Sequence, residues 1–172
     1  MSIVYLRTPT IYPEEQKTIT KTSRRKHKCS SGEILIAKIL DALGLKYTKE
    51  FSIPTLPKLR FDFCVEPKIL VEYDSKLHMQ FNKYIHKTEK KFLKAQQRDA
   101  LKTLEAVKEG YLIIRIDESL FSKESFVSNY IKTEIQNWKG SGIFVTPNPH
   151  LYEYLKNTID PKIISKYKKK CI

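Results

Sequence analysis

Leu59-Arg60-Phe61-Asp62-Phe63-Cys64-Val65, Glu66-Pro67-Lys68, Ile69-Leu70-Val71-Glu72-Tyr73-Asp74-Ser75-Lys76-Leu77-His78 reads as two β-rich runs joined by a short proline turn. β-branched and aromatic residues dominate both runs, and neither contains a helical period. In the first, Phe61 and Phe63 alternate with Asp62 and Cys64, which predicts Asp62 on the face opposite the aromatics. In the second, Glu72 and Asp74 share one face by the same two-residue period. A tight turn between the runs predicts that Asp62 lies beside Glu72 and Asp74.

Upstream, Ser30-Ser31-Gly32-Glu33 has the form of a capping box. Ile36, Ile39, Leu40 and Leu43 follow at helical spacing and Gly44 supplies a stop, so a helix is predicted over 31–43. Extended runs are predicted at 46–53, 59–65 and 68–73, punctuated by Pro54, Pro57 and Pro67. Downstream, a long helical segment covers 83–109 and ends at Gly110. Tyr111–Ile116 reads as a buried strand, and 123–138 as another helix. After Gly140-Ser141-Gly142 the pattern weakens, with two short helices predicted in 147–165. The order helix, three strands, helix, strand, helix predicts an α/β fold, a mixed central sheet flanked by helices.

The chain has 172 residues, 41% of them apolar, which suits one folded domain with short extensions. No stretch approaches the roughly 20 apolar residues of a membrane span, and Arg7 near the start is not followed by a signal-type apolar run. Cys29, Cys64 and Cys171 are an odd number without CxxC spacing. They argue against a disulfide scaffold and for a reducing, intracellular compartment.

With 32 Lys plus Arg against 19 Asp plus Glu, the net charge is +13. Residues 1–28 carry seven basic and two acidic side chains, 139–172 the same, and 29–138 carry eighteen and fifteen. The reading is therefore a basic arm (1–29), a nearly balanced core (30–138) and a basic C-terminal extension (139–172). The runs Arg24-Arg25-Lys26-His27-Lys28 and Lys168-Lys169-Lys170 are candidates for phosphate contact, and a polyanion, nucleic acid first, is the expected partner.

Acidic side chains converging within a basic protein are electrostatically awkward unless something positive sits among them. Asp62, Glu72 and Asp74 are candidate ligands for a divalent cation, with magnesium or manganese suited to carboxylate oxygens. Lys76 would share their face if the strand continued, where it could position water or steady a phosphate. Arg115, at the end of a buried strand, reads as a phosphate ligand or as the partner of Asp117. Asp99 and Lys102 form an i, i+3 pair.

These residues resemble the PD-(D/E)XK nuclease superfamily, nearest its very-short-patch repair endonuclease branch and related phage and mobile-element nucleases. The likeness rests on Arg60-Phe61-Asp62-Phe63, Val71-Glu72-Tyr73-Asp74-Ser75-Lys76-Leu77-His78, Asp99-Ala100-Leu101-Lys102 and Ile113-Ile114-Arg115-Ile116, and spans roughly 30–118. It implies a restriction-endonuclease-like core and magnesium-dependent hydrolysis of DNA leaving 5′-phosphate and 3′-hydroxyl, with RNA as the alternative substrate. It further implies that Asp62 and Glu72 bind metal, and that Asp74 or Lys76 stands in the catalytic lysine's place. His78 would protonate the leaving oxygen or touch the phosphate, and Glu33 would hold the metal through water. Two registers, Glu72-x-Asp74 and Asp74-x-Lys76, fit the pattern. Arg60, Asp99, Lys102 and Arg115 would face the nucleic acid, and cutting both strands calls for a homodimer. Ser75 and Leu77 depart from the glycine and glutamine common in that branch, and no proline precedes Asp62. The competing reading is a module that binds nucleic acid within a larger viral or phage complex without cutting it.

Overall fold

The capping box forms as the sequence predicts. In the computed structural model, which describes residues 30–66 and 68–168, Ser30 Oγ accepts from the Glu33 amide at 3.2 Å. Glu33 returns a carboxylate oxygen to the Ser30 amide at 3.3 Å. Such a cap is worth about 1 kcal/mol and fixes where α1 (Ser31–Ala42) begins. Strands β1 (Tyr47–Phe51), β2 (Phe61–Val65) and β3 (Ile69–Asp74) follow, each antiparallel to the next.

The predicted helix over 83–109 is two helices, α2 (Lys83–His86) and α3 (Glu89–Lys108). Lys87 between them takes a left-handed backbone, φ +63°, and Asn82 and Thr88 cap the two helices separately. A crossover through α3 delivers β4 (Leu112–Asp117) parallel to β3, as parallel neighbours require. Helix α4 (Glu124–Asn137) leads to β5 (Ile143–Val145), parallel to β4. A stretch of 3-10 turns (Pro149–Lys156) and α5 (Pro161–Tyr167) complete the described chain. The sheet order is β1-β2-β3-β4-β5, so the molecule is α/β with a five-stranded mixed sheet flanked by helices.

Two apolar layers sandwich this sheet. On one side α1 and α4 bring Ile36, Leu40, Val127 and Ile131 onto Phe63, Val71 and Ile114. On the other, α3 and the C-terminal segments bring Leu101, Phe144, Tyr152 and Ile163 onto Leu70 and Ile113. Two corrections follow. The core does not stop at residue 138, because β5 belongs to the sheet and Tyr152 and Ile163 are buried in its second layer. Phe61 and Phe63 do not share a face: Phe63 packs in the first layer and Phe61 in the second. The ladder is distorted there, since Glu50, between the paired Lys49 and Phe51, has φ +52°.

The loop before β5 approaches α3 closely. A Cβ on Gly142 would lie 1.7 Å from the Val107 carbonyl oxygen, so only glycine fits. No helix among the described residues is long and apolar enough to cross a membrane.

Candidate active site

The carboxyl ends of the parallel strands β3 and β4 gather the charged residues, the edge at which open α/β sheets usually bind ligands. Glu72 pairs in register with Arg115 and Asp74 with Asp117. The β2–β3 register pairs Phe63 with Val71 and Cys64 with Leu70 and ends one residue short of Asp62 and Glu72. Glu72 and Arg115 form a row across β3 and β4, Asp62 lies near its β2 end with its charge bearing on Glu72, and Asp74 stands two residues further along β3.

Asp62 is half-buried at the open end of this row. One carboxylate oxygen accepts from the Tyr73 amide at 2.9 Å, and no hydrogen bond to the other is found among the described residues. Burial raises its pKa, the Tyr73 amide and the Lys102 charge oppose that, and the charges of Glu33 and Asp74 reinforce it.

Glu72 is buried, and the Lys102 ammonium from α3 bonds both of its oxygens, at 2.6 and 2.9 Å. Burial nevertheless pushes its pKa up to about 7, against the pull of Lys102 and Arg115. Lys102 also lies over the Phe61 ring, 4.7 Å from its centre. Its own pKa is raised, since the carboxylates of Glu72 and Asp99 outweigh burial.

Deeper in, the cluster is saturated. Arg115 is 1% exposed and grips Asp74 with two bonds of 2.7 Å, the fork geometry of a guanidinium on a carboxylate. The same Nη2 donates to Asp99 at 2.7 Å, and Nη1 donates to the Thr103 hydroxyl at 3.1 Å. Tyr152 donates to Asp74 at 2.9 Å and Tyr154 donates to Asp99. Asp99 is held well below the usual carboxylate range: burial works the other way, but Arg115 and His78 outweigh it. His78 closes the outer side, its Nδ1 3.4 Å from Asp74 and 3.6 Å from Asp99. Burial would lower the His78 pKa, yet the Asp99 hydrogen bond and the two carboxylates raise it overall.

A groove of about 380 Å³ opens above these groups, lined by Lys58, Arg60, His78, Arg98, Asp99 and Lys102 among others. Four cations face its space, and Lys102 connects its floor to Glu72.

Several expected positions fall differently. Asp62, Glu72 and Asp74 sit near one another, but among the described residues the three ligand atoms that come within 4.8 Å of one another belong to Asp74, His78 and Asp99. That triangle does not suit a divalent cation, because Arg115 Nη2 already bonds the same two carboxylate oxygens that face His78. Asp74 is taken up on both oxygens by Arg115 and on one by Tyr152, and the oxygen that Tyr152 leaves faces His78 at 3.4 Å.

Lys76 is not at the site. The strand ends at Asp74, and residues 76–78 turn as a 3-10 helix held by a 2.8 Å bond from the Lys76 amide to Glu118. The Lys76 ammonium lies 4.0 Å from Glu118 and is exposed. Arg115 is neither a phosphate ligand nor the partner of Asp117, being fully committed to Asp74 and Asp99. Asp117 instead accepts from Asn148 at 2.8 Å. Lys168 is drawn to Glu105 at 2.7 Å. Arg60 pairs with exposed Glu50 at the groove rim, and Glu33 serves the cap of α1. Arg24, Arg25, Lys26, Lys28, Lys169 and Lys170 lie outside the described residues.

Tyr152, Tyr154 and Thr103 complete the cluster without having been anticipated. Their partners stand 78, 55 and 12 residues away, respectively, so no local pattern marks them. Comparison with protein-family models, curated proteins and solved structures finds no match to this chain.

Proposed function

We propose that this chain is a magnesium- or manganese-dependent endonuclease that hydrolyses phosphodiester bonds in DNA, on a restriction-endonuclease-like core. One observation carries the reading. Asp62, with one carboxylate oxygen uncommitted among the described residues, lies near Glu72, whose half-buried partner Lys102 lines a cation-rich groove in a chain of net charge +13.

Asp62 and Glu72 are hard oxygen donors; Asp62 has an oxygen to offer such an ion, Glu72 offers one only when Lys102 gives up one of its two bonds, and Asp74 is held on both oxygens by Arg115 and on one by Tyr152. Asp62 and Glu72 would hold the ion, which when bound lowers the pKa of water and offsets charge on the phosphate. Lys102, rather than Lys76, supplies the ammonium beside the reacting phosphate, where it can exchange one Glu72 bond for a phosphate oxygen. Lys58, Arg60 and Arg98 bind flanking phosphates. His78, protonated over a wider pH range than a free histidine, donates its proton to the departing 3′-oxygen as the phosphorus–oxygen bond breaks, leaving 5′-phosphate and 3′-hydroxyl. A homodimer would bring two such sites to the two strands.

Incubation with supercoiled plasmid and magnesium tests this: nicked or linear product is expected from the wild type. Absence of cutting, or equal cutting by Asp62→Ala, overturns it. Parallel reactions on RNA of the same sequence decide the substrate.

A second reading, a nucleic-acid-binding module without catalysis, is favoured by the neutralisation of Glu72 and Asp74 by protein cations. It predicts unchanged DNA affinity in chelator and no metal-dependent cleavage.

A further inference from the structure

The core's near-balance of charge conceals one strongly basic segment. Residues 83–98 hold Lys83, Lys87, Lys90, Lys91, Lys94 and Arg98 against Glu89 alone, and all six cations are exposed. This excess of +5 exceeds the +3 of the whole stretch 29–138. The same segment presents large apolar side chains to solvent: Tyr84 is 91% exposed, Ile85 60% and Leu93 52%.

Local structure holds these groups outward. Phe81, His86 and Phe92 pack ring against ring, at 5.9, 6.0 and 4.8 Å between centres, beneath the single turn of α2. The Asn82 side chain caps that turn by accepting from the Tyr84 and Ile85 amides, and the Asn82 amide donates to His86 Nδ1 at 2.9 Å. The aromatic nest spends Phe81 and Phe92 on the turn itself and leaves Tyr84 standing free above it. His86 and Phe92 also line the cation-lined groove, so the segment is continuous with the groove wall.

A positively charged track carrying an exposed aromatic ring is what an unpaired nucleic-acid strand requires. Lysines follow the phosphates, and the ring stacks on a base whose face is not covered by a neighbour. In an intact duplex that face is already stacked, and a ring gains nothing by approaching it. We infer that residues 81–98 form a binding element for single-stranded nucleic acid, with Tyr84 as the base-stacking residue. The groove then receives a strand led into it from an unpaired stretch, such as a single-stranded tail beside a duplex. This deepens the nucleic-acid reading of the groove and rests on it, though not on cleavage.

The test is fluorescence anisotropy in chelator, so that cutting plays no part, with a blunt duplex and the same duplex bearing a single-stranded tail. The wild type is expected to bind the tailed DNA about tenfold more tightly. Tyr84→Ala should abolish that preference while leaving blunt-duplex affinity and thermal stability unchanged. Tyr84→Trp should retain the preference and show indole quenching beyond that of wild-type Trp138. Equal affinity of the wild type for the two DNAs overturns the inference, as does an undiminished preference in Tyr84→Ala. So does binding to phosphatidylserine vesicles that Tyr84→Ala removes while tailed-DNA binding is unaffected, which would assign the element to a membrane surface. A retained tail preference in a protein that never nicks plasmid would defeat only the nuclease reading.

Discussion

The inner and outer parts of the charged cluster are built from the same side-chain types and behave differently. Inside, Asp74 and Asp99 are shared by one guanidinium and capped by two phenols, and every oxygen of Asp74 is committed. Outside, Asp62 keeps an oxygen without a hydrogen bond among the described residues, and Glu72 is matched by a lysine that reaches in from the groove. A buried carboxylate is tolerated when its lone pairs are filled, and a carboxylate available for chemistry must keep one empty. The inner half is therefore scaffold, and the outer half keeps the oxygen that the proposed ion would take.

Breaking the inner half should have the largest effect. Arg115→Ala leaves Asp74 and Asp99 buried without their cation, at a cost of about 3–5 kcal/mol. Thermal melting should show a fall of roughly 10 °C or more, and Arg115→Lys, which keeps the charge without the fork, should lie between. Stability of Arg115→Ala equal to wild type would mean the cluster is not the scaffold described.

The outer half should respond in activity instead. Asp62→Asn is expected to lower metal-dependent nicking at least about 100-fold, equivalent to about 2.7 kcal/mol in the barrier. Its stability should not fall. The Asp62 pKa is raised in the folded chain, so above the unfolded value its ionisation disfavours folding, and the neutral amide removes that penalty at pH 7. A melting temperature that drops together with activity would erase the distinction between the two halves.

How much of this was readable in advance depended on the range of the interaction. The α1 cap rests on residues three apart, and the β2–β3 pairing on a short turn, so Glu33, Asp62 and Glu72 could be placed from local chemistry. The local pattern puts Lys76 on the strand's face only if β3 continues, whereas Glu118, 42 residues away, captures its amide and turns the chain. Lys102 read as half of a surface i, i+3 pair, since nothing within α3 reveals that its neighbour across the fold is Glu72. The short β5 and the tyrosines of 149–156 escaped for the same reason: three strand residues carry little periodicity, and a phenol's acceptor is fixed only by tertiary packing.

Smaller perturbations sharpen the boundary between the halves. Tyr152→Phe removes one donor from Asp74 but leaves the Arg115 fork, so a loss of about 1.5 kcal/mol is expected in urea unfolding. Nicking should change far less than in Asp62→Asn. If it fell as far, the phenol would have to act at the reacting groups rather than behind them.

The least effect, and the most specific, is on pH dependence in chelator. Glu72 titrates near 7 in the folded chain against about 4.5 unfolded, so its contribution to stability is complete below about pH 4.5 and is lost as pH rises through 7. His78, also raised, contributes below its ordinary 6.5 and loses that contribution as pH passes its folded value. Asp99 runs the opposite way, but its lowered pKa confines the loss to acid below the usual carboxylate range. Between pH 5 and 8 the first two therefore dominate, and melting temperature should decline with rising pH. Glu72→Gln should flatten that decline by about 2–4 °C, the equivalent of roughly 1 kcal/mol in a chain of this size. An unchanged slope in Glu72→Gln would mean that Lys102 keeps Glu72 ionised throughout, and that the outer half is as firmly neutralised as the inner.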